Sequence, residues 1–159
     1  MKYTKEDLDT YDIMWYGIDK FGRIFVAWNA GRGYIPDYIL NDKESNESVC
    51  NYMLTGLTFY GKHEFLVRFK SGCSMTRDCT VLAGCGIYCF DDATENYDYD
   101  NSEYKLVARP GVELKYNEIY QVFENVNGLK FFDIDITSCK FVDFQKTSMK
   151  DIKNLEKSR

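Results

Sequence analysis

Alternating apolar and polar positions begin at Trp15 and predict an antiparallel hairpin. In the stretch WYGIDKFGRIFVAW, aromatic and β-branched residues lie on both sides of the tetrapeptide DKFG. Asp19 can accept hydrogen bonds from the backbone of this turn, and Gly22 can adopt the positive φ that a type I turn with a G1 bulge requires. After the turn, every second residue is large and apolar: Ile24, Val26 and Trp28. The pattern therefore predicts two strands with one strongly apolar face.

The hairpin is followed by the sequence AGRGYIP, whose two glycines raise the question of a phosphate-binding loop. A dinucleotide-binding fingerprint needs a third glycine, but Gly31 and Gly33 are followed by Tyr, Ile and Pro, and the Walker sequence GK[ST] is also missing. The preceding strand, moreover, belongs to a hairpin rather than to a βαβ unit. We therefore predict that the glycines form a corner in the backbone, with Pro36 fixing φ for the first turn of a short helix, PDYIL.

Periodicity over the middle of the chain predicts one helix and three strands. A helix is predicted to start near Ser45, with apolar residues along one side: Val49, Cys50, Met53, Leu54 and Leu57. The stretch HEFLVRF is compatible with a helix or a strand, and the alternation of its apolar residues favours a strand. A further strand is predicted over about residues 86–90. YKLVARP is predicted to pair with it and to end at Pro110.

The C-terminal third is predicted to contain a helix, one or two strands and a helical tail. The stretch NEIYQVFENV places apolar residues at i, i+3, i+4 and i+7, and Asn127 and Gly128 are predicted to end this helix. In LKFFDIDITSCKFVDF, alternation predicts a strand with Phe132 and Ile134 on one face and the acids on the other. The tail carries lysines at a helical spacing: Lys146, Lys150, Lys153 and Lys157.

Strands and helices are mixed without a regular βαβ rhythm, and two connections have the features of hairpins. This arrangement predicts an α+β fold with a mainly antiparallel sheet and helices packed on one face. The 159 residues are an ordinary size for one domain. We predict a single domain over residues 1–145 and a lysine-rich tail over residues 146–159 that forms a short helix.

The N-terminal sequence and the cysteines favour a cytoplasmic protein with reduced thiols. The first residues, MKYTKEDLDTYD, lack the apolar region of a signal peptide, and no apolar run approaches the roughly 20 residues of a membrane helix. The six cysteines form no CxxC pair, and His63 is the one histidine. Thiols in this setting are expected to pack as small apolar groups, and a zinc site assembled from dispersed cysteines is the weaker alternative. We expect no metal and no cofactor.

Negative charge is concentrated between residues 78 and 104, which contain seven acidic residues and no lysine or arginine. Because the whole chain has a net charge of −5, the remainder carries about +2. Most of these acids, with two tyrosines among them, form the predicted partner-binding segment: Asp91, Asp92, Glu95, Tyr97, Asp98, Tyr99, Asp100 and Glu103. Such a segment can attract a basic protein through its carboxylates and supply contact area through its tyrosines. The alternative is a solvated loop in an acidic protein.

Calcium and nucleic acid fit this segment less well. Counted from Asp98, the sixth and twelfth positions of an EF-hand loop are Glu103 and Arg109 instead of glycine and glutamate. Nucleic acid requires a basic surface, and the lysines of the tail are too few to provide one. We therefore expect a protein partner and neither a nucleic-acid nor a membrane partner.

Catalytic constellations are weak throughout the chain. Asp133 and Asp135 would lie about 7 Å apart on one strand face, a spacing open to acid–base or metal chemistry, although alternate acids more commonly form a solvent face. His63 paired with a cysteine would make a thiol dyad, but no thiol-protease signature and no GxSxG motif occurs. We predict that the protein is not an enzyme.

Two stretches resemble a group of small, poorly characterised bacterial proteins. DIMWYGIDKFGRI followed by AGRGYIP is similar to that group's aromatic hairpin and Gly-x-Gly-x-(Ile/Val)-Pro turn. Later, GIYCFD and YKLVARPGVELKYNEI resemble its Gly-(Leu/Ile)-Tyr-x-(Tyr/Phe)-Asp strand, its paired strand ending at a proline and the entry into a final helix. The matched positions have the character of scaffold: Trp15, Gly17, Asp19, Gly22, Gly31, Gly33, Pro36, Tyr88 and Asp91. The two stretches cover about a third of the chain, and the cysteine-rich segment 73–89 departs from the resemblance.

The resemblance implies a role in immunity, because such proteins are often encoded beside polymorphic or contact-dependent toxins and are taken to be cytoplasmic immunity proteins. The leading hypothesis is a non-catalytic binding protein that neutralises a cognate toxin domain with a basic active face. The alternatives are a small intracellular enzyme or ligand-binding domain with a pocket lined by cysteines and tyrosines, and a structural protein without a ligand. The oligomeric state and the identity of the partner are left open by the sequence.

Overall fold

The computed structural model describes residues 1–69, 73–92 and 103–155. The α-helices in these ranges are α1 (Lys5–Thr10), α2 (Asp37–Leu40), α3 (Lys43–Thr55) and α4 (Ser74–Gly84). The strands are β1 (Met14–Ile18), β2 (Ile24–Trp28), β3 (His63–Phe65), β4 (Tyr88–Asp92), β5 (Glu103–Pro110), β6 (Lys130–Phe132), β7 (Phe141–Asp143) and β8 (Met149–Asp151). Short 3₁₀ turns occupy Tyr116–Glu118, Tyr120–Phe123, Phe144–Lys146 and Ile152–Asn154.

The main sheet has the strand order β1-β2-β4-β5-β3, and β7 also pairs with β5. Every pairing within it is antiparallel except that of β2 with β4, which is parallel. Strands β6 and β8 form a separate antiparallel pair. The predicted α+β fold with a mainly antiparallel sheet is therefore confirmed.

The two faces of the main sheet are covered by different parts of the chain. On one face, Trp15 and Phe25 pack with Phe132 and Phe144 from the C-terminal third, and the rings of Phe25 and Phe144 are stacked with centroids 4.8 Å apart. Helix α3 contacts β1, and α4 contacts β4 and β5. Neighbouring residues of a strand point to opposite faces, so Tyr16 lies on the face opposite to Trp15. Helices α3 and α4 thus pack against the main sheet, as the predicted fold requires.

The predicted hairpin forms because a side chain of its turn accepts hydrogen bonds from the backbone N–H groups of the same turn. Strand β1 pairs with β2 from Met14 opposite Trp28 to Ile18 opposite Ile24. The buried carboxylate of Asp19 accepts hydrogen bonds from the backbone N–H groups of Phe21 and Arg23, both at 2.9 Å. Gly22 has a φ of 80°, as the turn requires.

The helix predicted over residues 117–126 is wrong. Two 3₁₀ turns are found there instead, and Ile119 between them has a φ of −133° and a ψ of 28°, which interrupts any continuous helix. Backbone hydrogen bonds link residues three apart, from Val122 to Ile119 and from Val126 to Phe123. Apolar residues three apart, as in Ile119–Val122 and Phe123–Val126, fit a 3₁₀ turn as well as an α-helix, so the periodicity could not separate the two.

Helix α4 is absent from the expectations, and two predicted strands have different limits. Its buried residues Cys79, Leu82 and Ala83 follow the spacing i, i+3, i+4, which becomes visible when cysteine and alanine count as apolar. Strand β3 is confined to His63–Phe65, and β4 begins at Tyr88 rather than near residue 86. Helix α3 starts two residues before the predicted position because Asp42 caps it by accepting a hydrogen bond from the Ser45 backbone N–H.

The lysine-rich segment is not one terminal helix over its described part, residues 146–155. It contains the end of a 3₁₀ turn, strand β8 and a second 3₁₀ turn, and residues 156–159 lie outside the described residues. Strand β8 pairs with β6, and Leu155 is only 1% exposed. The spacing of the lysines reflects only which positions face solvent. The conformation of the segment is determined by its pairing with β6 and by the burial of Leu155.

Asp133 and Asp135 do not form a pair on one strand face. Strand β6 ends at Phe132, and each acid then takes its own cationic partner. Asp133 lies 3.1 Å from the ammonium of Lys150, while Asp135 accepts a hydrogen bond of 3.1 Å from the guanidinium of Arg23. These contacts give both carboxylates structural roles.

Candidate partner-binding site at the carboxyl end of the parallel strands

The parallel pair β2–β4 brings the two sequence features of greatest interest to one place. In its register Trp28 lies beside Asp91, so both strands end at the same edge of the sheet. The glycine-containing corner starts immediately after β2, and the acidic segment starts at the end of β4. The carboxyl ends of parallel strands are a common position for binding sites in open sheets. We call this place the strand-end site, made of residues 12, 29–34, 91, 92 and 104.

The corner after β2 is built around the side chain of Asn29, which is buried. Its Oδ1 atom accepts hydrogen bonds from the backbone N–H groups of Ile13 at 2.8 Å and Gly31 at 3.1 Å. Ala30 and Gly31 both have positive φ, at 53° and 75°. The predicted corner is confirmed. The backbone carbonyl of Asn29 accepts hydrogen bonds from two residues of the loop, so these N–H groups are directed into the corner itself.

Gly33 allows two side chains of β4 and β5 to approach the corner. A Cβ atom at this position would lie 2.6 Å from the hydroxyl oxygen of Tyr104 and 2.8 Å from Oδ2 of Asp92. The Tyr104 hydroxyl donates a hydrogen bond of 2.6 Å to the Tyr34 carbonyl and accepts one of 3.2 Å from the indole of Trp15. The second glycine therefore serves close packing rather than phosphate binding.

Three carboxylates meet at the strand-end site. Burial raises the pKa of Asp91 to about 6, and the negative charges of Asp12 and Asp92 add to the rise. Desolvation and the charge of Asp92 also raise the pKa of Asp12, whose Oδ1 accepts a 2.7 Å hydrogen bond from the Ala30 N–H. Asp92 lies 3.5 Å from Nε of Arg32, and its side chain is 1% exposed. The site is therefore crowded with negative charge, and Arg32 offsets part of it.

Of the eight residues predicted to bind a partner, the structure describes Asp91, Asp92 and Glu103. Asp91 is partly buried at the site, and Glu103 is exposed at the start of β5, opposite Asp143 of β7. Asp92 is directed into the protein by its ion pair, so it shapes the site without reaching the surface. The remaining predicted residues, Glu95, Tyr97, Asp98, Tyr99 and Asp100, lie outside the described residues.

Asp12 and Arg32 were not among the predicted site residues. Asp12 joins the site because β1 runs antiparallel to β2, which brings the start of β1 to the end of β2. Arg32 joins it through the corner. The only local signal was an acid two residues before a predicted strand, and such acids are common in any sequence.

A cleft of about 470 Å³ opens beside the strand-end site, between α1, α3 and the start of β1. We call it the α1–α3 cleft. Its walls include Tyr3, Tyr11 and Glu47, and Asp12 belongs both to this cleft and to the strand-end site. Cys50 lies in its wall, and burial strongly raises the pKa of this thiol, which therefore stays protonated at neutral pH.

The cysteines of the described residues are all free. Cys50, Cys79, Cys85 and Cys89 are buried, and burial together with the neighbouring Cys79 raises the pKa of Cys89. Thiols held in this way are poor nucleophiles. Within the described ranges, no group of three or more His, Cys, Asp and Glu side chains is placed to hold a metal ion.

Nor does any helix in the described part of the chain combine the length and the apolar character needed to cross a membrane. No protein-family model, curated protein or solved structure matches this chain.

Proposed function

We propose that the protein is a non-catalytic cytoplasmic binding protein of the immunity type. It binds a basic protein partner at the strand-end site and thereby neutralises that partner. The observation that supports this proposal is the meeting of Asp12 and Asp91 at the end of the parallel strands, directly where the acidic segment of the sequence begins. The resemblance to toxin-associated proteins supplies the biological setting, and the charge supplies the chemistry.

Electrostatic crowding is the physical reason to expect a cationic partner. The raised pKa of Asp91 means that its ionised form is disfavoured by its surroundings, including two neighbouring carboxylates. A lysine or arginine from a partner would relieve this repulsion, so the gain in binding is larger than at an isolated surface carboxylate. The field of the acidic surface would also accelerate encounter with a basic protein at low salt.

The first experiment is to co-express the chain with its immediate gene neighbour and to purify any stoichiometric complex. The association rate of the purified components is then measured from about 50 to 300 mM NaCl, a range over which screening changes strongly. The double variant Asp12→Asn/Asp91→Asn should associate about tenfold more slowly at low salt and should show a weaker dependence on salt. The control is Asp9→Asn/Glu44→Gln, which removes the same charge from exposed positions that are not among the residues of the site.

Two results would contradict the proposal. One is a partner whose contact surface is acidic. The other is an association rate that depends equally on salt in the wild type, the double variant and the control. A separate variant, Glu95→Gln/Asp98→Asn/Asp100→Asn, tests the contribution that the sequence assigns to the acidic segment beyond the described residues.

A second candidate function is a ligand-binding domain, and the α1–α3 cleft favours it. The cleft volume lies within the usual range of ligand sites, and Tyr3, Tyr11 and Cys50 supply the predicted combination of residues. A thermal-shift screen with small metabolites separates the two functions. A neutral metabolite that raises the Tm of the wild type but not the Tm of the variant Tyr11→Ala would favour this second function.

A further inference from the structure

The α1–α3 cleft has room for a long side chain. It has about 470 Å³ of space, in the range of sites that bury small ligands. The described exposed residues Tyr11 and Glu47 stand at its walls, while the apolar side chains of Met14 and Leu54 provide part of its lining. A ligand with an apolar stem and a polar end would match this division.

The charge of the lining favours a cation. Three acids, Asp7, Asp12 and Glu47, face one cation, Lys43. Asp7 is already occupied, since Oδ2 accepts a hydrogen bond of 2.8 Å from the Thr4 N–H and Oδ1 accepts one of 3.1 Å from Lys43. Glu47 and Oδ2 of Asp12 supply further carboxylate oxygens to the cleft.

The cleft already accommodates one cation of the chain itself. The ammonium of Lys43 lies 5.7 Å from the centroid of the Tyr3 ring while it contacts Asp7. A carboxylate and an aromatic face around one positive charge are the elements of a cation–π site. Tyr11 and Glu47 lie on the same cleft and provide a second aromatic ring and a further carboxylate, whose charge also acts on Lys43.

We propose that this cleft takes up an arginine side chain of the protein partner. Arginine fits better than lysine because its planar guanidinium can stack on a tyrosine ring and bind a carboxylate with two N–H groups. Its methylene stem would lie along Met14 and Leu54. Asp12 lines both the cleft and the strand-end site, so a basic segment anchored here would continue towards Asp91. This inference rests on the proposed function only for the source of the arginine.

The test is an NMR titration of the full ¹⁵N-labelled chain with acetyl-arginine-methylamide. Binding with a Kd of about 1 to 10 mM is expected, as for a single weakly desolvated side chain. The amide signals that move should belong to the cleft, Tyr11, Glu47 and Asn51 among them. Blocked citrulline, which has the same shape without the charge, should bind at least tenfold more weakly, and blocked lysine should lie between the two.

Matched variants assign the binding to the cleft. Glu47→Gln should raise the Kd about threefold, which is typical of losing one exposed charge contact, whereas Glu44→Gln on the same helix should leave it unchanged. Both residues are exposed, and the spectrum itself reports whether each variant is folded. Equal binding of citrulline and arginine, or moving signals confined to other surfaces, would overturn the inference.

Agmatine, which carries the guanidinium without a peptide backbone, tests whether the cleft instead binds a small free amine. Agmatine binding ten times more tightly than blocked arginine would overturn the assignment to a partner side chain. The outcome is also separate from that of the proposed function. A complex that depends on Asp91 while the cleft does not bind arginine would refute the inference alone. Arginine binding without any basic partner would refute the proposed function and, within the inference, only the assignment of the arginine to a partner.

Discussion

Replacement of Asp91 by asparagine should stabilise the protein at neutral pH and leave its stability unchanged in acid. Burial and two neighbouring carboxylates raise the pKa of Asp91 from an ordinary value of 3.8 to about 6. The folded state therefore holds a proton between about pH 4 and 6 that the unfolded state has lost. The contribution of Asp91 to the free energy of unfolding is therefore highest below about pH 4 and falls as the pH rises towards 6.

The size of the effect follows from the same pKa difference. A difference of about two corresponds to about 3 kcal/mol, and partial exposure of the group reduces this to roughly 1 to 3 kcal/mol. Asparagine carries no charge, and its side-chain oxygen can still accept the 2.9 Å hydrogen bond from the Asp92 N–H. The gain should therefore appear almost undiminished at pH 7.

The assay is urea unfolding followed by the fluorescence of Trp15 and Trp28, both buried in the native state, at intervals from pH 4 to 7.5. The difference between Asp91→Asn and wild type should be near zero at pH 4 and reach its full value above pH 6. Asp9→Asn, at an exposed position of α1, should show no such growth. A variant that is less stable than wild type, or a difference independent of pH, would refute the reasoning. If Asp91 also contacts the basic partner, affinity should decline as the pH falls below 6.

Other substitutions test the contacts that hold the site and the core. Arg23→Ala leaves the fully buried carboxylate of Asp19 without its cation and should cost roughly 3 to 5 kcal/mol in urea unfolding, and a cost below 1 kcal/mol would contradict the ion-pair argument. Phe144→Ala removes the ring at the centre of the aromatic cluster and should lower the free energy of unfolding by about 3 to 5 kcal/mol, with Phe144→Leu losing clearly less. Gly33→Ala places a methyl group against the Tyr104 hydroxyl and should cost about 1 to 3 kcal/mol. Partial relief of that loss in the double variant with Tyr104→Phe would identify the contact, since the nearest overlap is with that oxygen while the approach to Oδ2 of Asp92 remains.

Long-range ion pairing determines the surroundings of several acids whose local sequence gives no sign of a partner. Asp133 and Asp135 have the spacing of a catalytic pair, but their partners Lys150 and Arg23 come from other parts of the chain. Asp92 has the appearance of a surface acid in the sequence, and Arg32 draws it inward. In each case the decisive contact joins residues that no local pattern connects.

The sequence by itself determined the features whose energy is local. Asp19 and Gly22 specify the hairpin turn because the hydrogen bonds and the positive φ they provide lie within five residues. The corner at Gly31 and the end of β5 at Pro110 follow from backbone geometry in the same way, and the mixed order of elements was enough for the α+β class.

Only the tertiary structure decided which strands became neighbours and what met at their ends. The parallel pairing of β2 with β4 joins segments some sixty residues apart and brings Asp12, the corner and Asp91 to one site. The lysine-rich segment forms a strand and 3₁₀ turns rather than a helix because β6 supplies its pairing and the core takes up Leu155. Such choices depend on burial summed over the whole core, which no window of sequence contains.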